Sequence, residues 1–276
     1  MPDTTERAAA NAPSSRSKRA PARHEPPLLR AECALFLDID GTLLDLAATP
    51  DSVRVDQAIA ALLPALVYRL GGATALITGR TIADADKLFP GVGLPVAGQH
   101  GLERRGADGV LHMHREGPPG YGWLRGKMAH LVERHDGLWL EDKGATLALH
   151  YRQAPGLASY VHRTVHTLIA TAGAAGAEWR LQPGKGIVEI KPAGRDKGAA
   201  ILDYMAEPTF AGRLPVFVGD DQTDEFGFAA VALLGGWAVK VGPGLTHAQF
   251  RLRDVNAVRR WLAALLRQPS IPGANT

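Results

Sequence analysis

The stretch Ala34-Leu35-Phe36-Leu37-Asp38-Ile39-Asp40-Gly41-Thr42-Leu43 restricts the fold of this chain more than any other. Four apolar residues without alternation predict a short strand buried on both faces, as strands of parallel sheets are. The run ends in two carboxylates at i and i+2, and Gly41 lets the chain turn away. Such a pair at the end of a buried strand is costly unless a cation or a reaction uses it. Apolar runs at 73–77, 95–97, 214–218 and 237–241 predict further strands. Three helices are predicted near 57–69, 226–233 and 255–266. Alternating strands and helices imply an α/β fold built on a doubly wound, Rossmann-like parallel sheet. Ligands of such sheets sit at the carboxyl ends of the strands. Asp38 and Asp40, Thr78 after the second run, and Asp220 and Asp221 after the fourth are therefore expected to converge.

Residues 109–192 break this rhythm. Asp108-Gly109 is a hairpin signal; helices are predicted at 123–134 and 157–172, and strands at 138–141, 146–151, 178–181 and 187–191. Two helices and a small antiparallel sheet make an inserted α/β cap. It splits a core formed by 31–108 and 193–276. Residues 1–30 carry six basic and three acidic side chains and few large apolar ones, so they are expected to be a disordered basic tail. From Ala31 onward the chain has 25 residues of each charge. A neutral body argues against a nucleic-acid binder, whose footprint would be basic. No run approaches the roughly 18 apolar residues of a membrane helix. The single cysteine, Cys33, excludes an internal disulfide. These features lead to the expectation of a cytoplasmic monomer or weak homodimer acting on a small molecule.

The strand ends carry specific chemistry. A carboxylate can attack phosphorus and form an aspartyl-phosphate, while a second protonates the leaving oxygen and later deprotonates water. Gly219-Asp220-Asp221-Gln222-Thr223-Asp224-Glu225 adds acidic groups. Magnesium is held by one or two carboxylates and substrate phosphate, and Asp38 and Asp220 could supply those carboxylates. Thr78-Gly79-Arg80 offers a hydroxyl and a helix N-terminus to a phosphoryl oxygen. Lys197 could balance phosphoryl charge.

Taken in chain order, DxDGT, a strand-terminal Thr, a Lys and GDDxxDE resemble the haloacid dehalogenase superfamily of phosphohydrolases. The resemblance implies Asp38 as nucleophile, Asp40 as acid and base, and Thr78 and Lys197 as phosphoryl ligands beside Gly79 and Arg80. It also implies Mg2+ held by Asp38, the Asp40 carbonyl and Asp220, with Asp221 or Asp224 in support. The insert lies where that superfamily places its larger α/β caps. Within and around it, Leu140-Glu141-Asp142-Lys143-Gly144, Leu149-His150-Tyr151-Arg152, Val188-Glu189-Ile190-Lys191-Pro192, Gly98-Gln99-His100-Gly101 and Val241-Gly242-Pro243-Gly244-Leu245-Thr246 are similar to the trehalose-6-phosphate phosphatase family. Gln99 departs from the acidic or other polar residue that many relatives place there. This resemblance implies hydrolysis of trehalose 6-phosphate, with Glu141, Lys143, Arg152, Lys185 and Glu189 lining a sugar pocket. A mixed, neutral pocket suits sugar hydroxyls, which both donate and accept. Another capped sugar phosphatase, or a non-catalytic sugar-phosphate-binding regulator, would share parts of this pattern. His100 and His150 are expected to be structural, and Trp123, Trp139 and Trp179 to lie in the core of the insert.

Overall fold

The computed structural model describes residues 25–47, 53–114, 119–173, 178–184 and 186–269. Strand β1 (Cys33–Leu37) is buried at every position. Its side chains alternate between two apolar layers, with Cys33, Leu35 and Leu37 in one and Ala34 and Phe36 in the other. That two-sided burial explains why the run shows no polar alternation. Parallel neighbours flank β1 on both sides, β10 (Leu214–Gly219) and β2 (Thr74–Ile77). Eight strands form the large sheet in the order β12-β11-β10-β1-β2-β3-β4-β5. Strands β11 (Trp237–Val241), β12 (Phe250–Leu252) and β3 (Val96–Gly98) run parallel to their neighbours, while β4 (Glu103–Arg105) and β5 (Leu111–Met113) are antiparallel.

Helix α1 (Gln57–Arg69) starts at Asp56, whose side chain accepts from the Ile59 amide, and buries Ile59, Leu62, Leu63 and Leu66. Helix α7 (Val255–Leu266) starts in the same way at Asp254 and buries Val258, Leu262 and Leu265 on one stripe. Both cover the face of the sheet that carries Leu35 and Leu37, beside the short α2 (Ile82–Leu88). On the opposite face, α5 (Lys197–Met205) and α6 (Asp224–Leu233) pack Ile201, Tyr204, Phe228 and Val231 against Phe36 and Phe217.

The intervening segment forms a second, antiparallel sheet in the order β6-β7-β9-β8: β6 (Trp139–Asp142), β7 (Leu147–His150), β9 (Ile187–Pro192) and β8 (Trp179–Gly184). Helices α3 (Tyr121–Glu133) and α4 (Ala158–Gly173) pack Leu124, Met128, Val161 and Val165 on Leu147, Leu149, Val188 and Ile190. Alternate residues of these strands face the other way, toward the large sheet.

Three expectations need correction. The hairpin β4–β5 extends the large sheet, although its second strand falls in the segment assigned to the insert. Residues 25–30 are not part of a tail. Leu29 is fully buried, the Trp261 indole N–H donates to the Pro27 carbonyl at 2.9 Å, and Gln268 donates to the Leu29 carbonyl at 3.0 Å. One buried Leu suffices there because the Trp261 and Gln268 side chains hold the segment's carbonyls; the remainder of the expected tail, 1–24, lies outside the described residues. Finally, Trp179 is in the core of the second layer, but Trp139 and Trp123 are 48% and 40% exposed. No helix among the described residues is long and apolar enough to cross a membrane.

Candidate active site

Because β1 lies between β10 and β2 and runs parallel to both, the residues that follow these strands meet at their carboxyl ends. The Lys197 ammonium, at the first turn of α5, reaches across to Asp38 Oδ1 at 2.7 Å and Asp224 Oδ1 at 2.6 Å. Asp38, Asp220 and Asp224 each present a carboxylate oxygen, and the three oxygens lie within 4.8 Å of one another. Burial among these acids pushes the Asp38 carboxyl well up despite Lys197, and it pushes Asp224 up to about 7. The same carboxylates hold Lys197 charged. Gly41 is required here: its φ is +84°, and a Cβ would lie 2.3 Å from Asp220 Oδ2. Three hard oxygen donors against one ammonium leave an excess of negative charge that suits a divalent cation.

Asp40 and Asp221 take other partners. The Arg80 guanidinium donates to both Asp40 oxygens, at 2.6 and 2.7 Å. Asp221 Oδ1 accepts from the Thr223 amide and hydroxyl and so shapes the start of α6. Thr78 is buried at the end of β2, and its hydroxyl accepts from the Arg80 amide at 3.1 Å. That bond uses an oxygen lone pair and leaves the hydroxyl proton to be donated.

Above these groups, the polar face of the second sheet closes a cavity of about 1680 Å3. Register dictates who faces it. Trp139 pairs with His150 and Glu141 with Ala148, Ala148 with Glu189, and Glu189 with Gln182. Trp139, Glu141, His150, Gln182 and Glu189 all line the cavity, together with Asp38, Thr78 and Lys197 from below. Lys143 bridges the layers, donating to the Gly79 carbonyl at 3.1 Å and to Glu189 Oε1 at 3.4 Å. Glu189 also lies 3.1 Å from His100 Nε2 and accepts from the Thr146 hydroxyl at 3.0 Å. Its opposite charges and hydrogen bonds outweigh burial and hold the carboxyl far below the usual range. Gln99 and His100 have φ of 47° and 57°, a strained turn. Amide bonds to the Arg80 and Thr78 carbonyls fasten it. Gly79 leaves room for it, since a Cβ there would lie 2.8 Å from His100 Nε2.

Arg152 lines the outer end of the cavity and donates to the Ala47 carbonyl at 3.1 Å. Lys185 lies outside the described residues. Sequence reasoning missed Trp139, Arg180, Gln182 and Lys191 as cavity residues. Period-two counting from Glu141 and Glu189 reaches Trp139 and Lys191, whereas Arg180 and Gln182 follow only from strand pairing.

The sequence profile of the trehalose-phosphatase family matches residues 36–249. A probable trehalose-phosphate phosphatase of Sinorhizobium fredii is 42% identical over 84% of this chain and 87% of its own. The trehalose-6-phosphate phosphatase of Escherichia coli is 42% identical over 86% and 88%. In fold, the C-terminal domain of Candida albicans trehalose-6-phosphate phosphatase superposes with a TM-score of 0.75 at 19% identity, covering 87% of this chain and 92% of that one. With a profile spanning most of its length and relatives this similar along nearly all of theirs, the chain belongs to the trehalose-phosphatase family.

Proposed function

We propose that this protein hydrolyses trehalose 6-phosphate to trehalose and inorganic phosphate through an aspartyl-phosphate on Asp38. The observation that carries this reading is one cavity with two chemistries. Its floor gathers Asp38, Thr78, Lys197 and Asp220, with Asp224 buried against Lys197, and its roof presents Glu141, Lys143, Arg152 and Glu189. The roof contains both donors and acceptors, as a disaccharide needs. In this reading the second sheet acts as a cap that excludes water from the reacting phosphorus.

An Asp38 oxygen attacks phosphorus, and the bond from phosphorus to the sugar oxygen breaks. Asp40 gives that oxygen its proton, so trehalose leaves as an alcohol. Asp40 then takes a proton from water, the water oxygen attacks phosphorus, and the bond to Asp38 breaks. A carboxylate held by both arms of a guanidinium can only accept, so the Arg80–Asp40 pair must open before Asp40 carries a proton. Phosphoryl oxygens are the natural replacement for Asp40 on Arg80. Lys197 and the Thr78 hydroxyl hold the remaining phosphoryl oxygens and keep phosphorus in line with Asp38. The three clustered carboxylates fit magnesium, which Asp38 and Asp220 would hold with the Asp40 carbonyl, supported by Asp224. When bound it supplies positive charge beside the transferring phosphoryl group.

Phosphate release should be measured over a panel of sugar phosphates, with magnesium and with a chelator. Trehalose 6-phosphate is expected to have the highest kcat/KM, and the chelator to abolish its turnover. A higher kcat/KM for another sugar phosphate would overturn the substrate assignment, and full activity in chelator would overturn the metal.

A further inference from the structure

Trp139 is a large apolar side chain, 48% exposed, on a strand whose other apolar residues are at least partly covered. Exposure of this kind inside a cavity has to be explained, because burying the indole elsewhere would be favourable. The pleat of the strand sets its direction. Leu140, its neighbour, turns to the opposite face and packs against the apolar layer, and Trp139 shares its face with Glu141.

The indole is not loose. Its ring centroid lies 4.2 Å from that of His150, its cross-strand partner, with the planes tilted by 38°. His150 is fixed in turn by Glu141 Oε2, 2.9 Å from its Nε2. The three side chains therefore form one pre-set surface: an aromatic plane, an imidazole behind it, and a carboxylate beside it. Pre-organisation of this sort lowers the entropic cost of binding. Lys143, four steps along the same chain segment, touches Gly79 next to the phosphoryl-binding turn. At ~3.3 Å per residue, Trp139 stands on the order of 13 Å from that end of the cavity.

A pyranose ring has an apolar face of axial C–H groups and a polar rim of equatorial hydroxyls. An aromatic plane flanked by a carboxylate matches those two parts, and an anionic phosphoryl group does not. We propose that Trp139, packed against His150, is a sugar platform that binds the hexose ring remote from the phosphate and sets the length of the preferred substrate. The inference rests on the sugar-phosphatase reading above.

Two measurements test it. The first is kcat/KM for trehalose 6-phosphate and for p-nitrophenyl phosphate in Trp139→Ala and Trp139→Phe. The ratio of the two efficiencies should fall about three- to tenfold in Trp139→Ala, mainly through KM, and stay close to wild type in Trp139→Phe. The second is intrinsic fluorescence during titration with trehalose, whose saturable change in the wild type should be absent from Trp139→Phe. An unchanged ratio in Trp139→Ala, or an equal loss on both substrates, would overturn the platform. So would a fluorescence change that persists in Trp139→Phe. If the wild type prefers another sugar phosphate, the activity reading fails instead, and the same ratio measured on that sugar judges Trp139.

Discussion

Asp38 is placed where its charge is least welcome. It is buried, it shares a small volume with Asp220 and Asp224, and Lys197 satisfies only part of the charge. The direction of its shift means that the ionised carboxylate destabilises the fold at neutral pH. Asp38→Asn is therefore expected to lose at least about a thousandfold in kcat while its melting temperature in chelator equals or exceeds that of the wild type. Asn keeps an oxygen that accepts from Lys197 and removes the repulsion. Phosphate release and thermal melting, with deamidation excluded by mass spectrometry, check both halves. A variant with near wild-type turnover would show that another group attacks phosphorus. At this scale the convergence of Asp38, Thr78 and Asp220 was legible because each follows a short apolar run, a pattern that sheet topology turns into proximity. Their division of labour was not. Asp221 and Asp224 read alike in sequence, and only the turn into α6 sends Asp224 toward Lys197 and Asp221 toward Thr223.

Strand β6 and the segment 25–30 show how elements were read and misread. Residues 25–30 sit in a window whose composition is that of a tail, and composition averages over the one residue, Leu29, that α7 buries. Removal of 1–24 should leave the melting temperature unchanged. Removal of 1–30 deletes a fully buried Leu and the acceptor of the Trp261 indole, a loss of about 2–3 kcal/mol or roughly 5–10 °C. Equal melting temperatures for the two truncations would show that the packed segment contributes nothing. The β4–β5 hairpin was missed as part of the large sheet because three-residue strands carry too little periodicity to say which edge they join. Along β6 the alternation itself was visible, and a Trp in an apolar neighbourhood was nevertheless taken for core. Glu141→Ala and Lys143→Ala test that face of the strand. Each removes a charged group, Glu141 on the strand itself and Lys143 just beyond it against Gly79, worth on the order of 1.5–3 kcal/mol, or roughly ten- to 150-fold in kcat/KM on the sugar phosphate. On p-nitrophenyl phosphate, which has no second ring, the loss should be several-fold smaller. Equal losses on both esters would mean that β6 does not read the sugar.

At the scale of the whole molecule, the two sheets are joined through polar contacts rather than an apolar seam. Lys143 reaches Gly79, and Glu189 meets His100 and Thr146, which also lies 3.1 Å from Gln99. Such a seam depends on pH, and its sign follows from the two titrating groups. His100 is buried between Glu189 and Lys191 of β9 and Lys197 of α5. Burial and the two ammonium groups outweigh the carboxylate and lower its proton affinity. Below about pH 6.5 the unfolded chain takes up a proton that the folded protein still refuses, so stability falls as pH falls. Glu189, held ionised by Lys143 and His100, adds a second loss once pH drops below the ordinary carboxylate range. His114 also has a lowered proton affinity and adds a loss of the same sign, so the wild-type curve alone does not isolate the seam. His100→Asn does. Asn tolerates the left-handed backbone at this position and has no proton to exchange. Between pH 6.5 and 5.5 the wild type is expected to lose up to about 1 kcal/mol more than the variant, which corresponds to roughly 2–4 °C in melting temperature. Identical slopes across the upper window would show that His100 is not held neutral by the seam, and that the contact between the sheets survives its protonation.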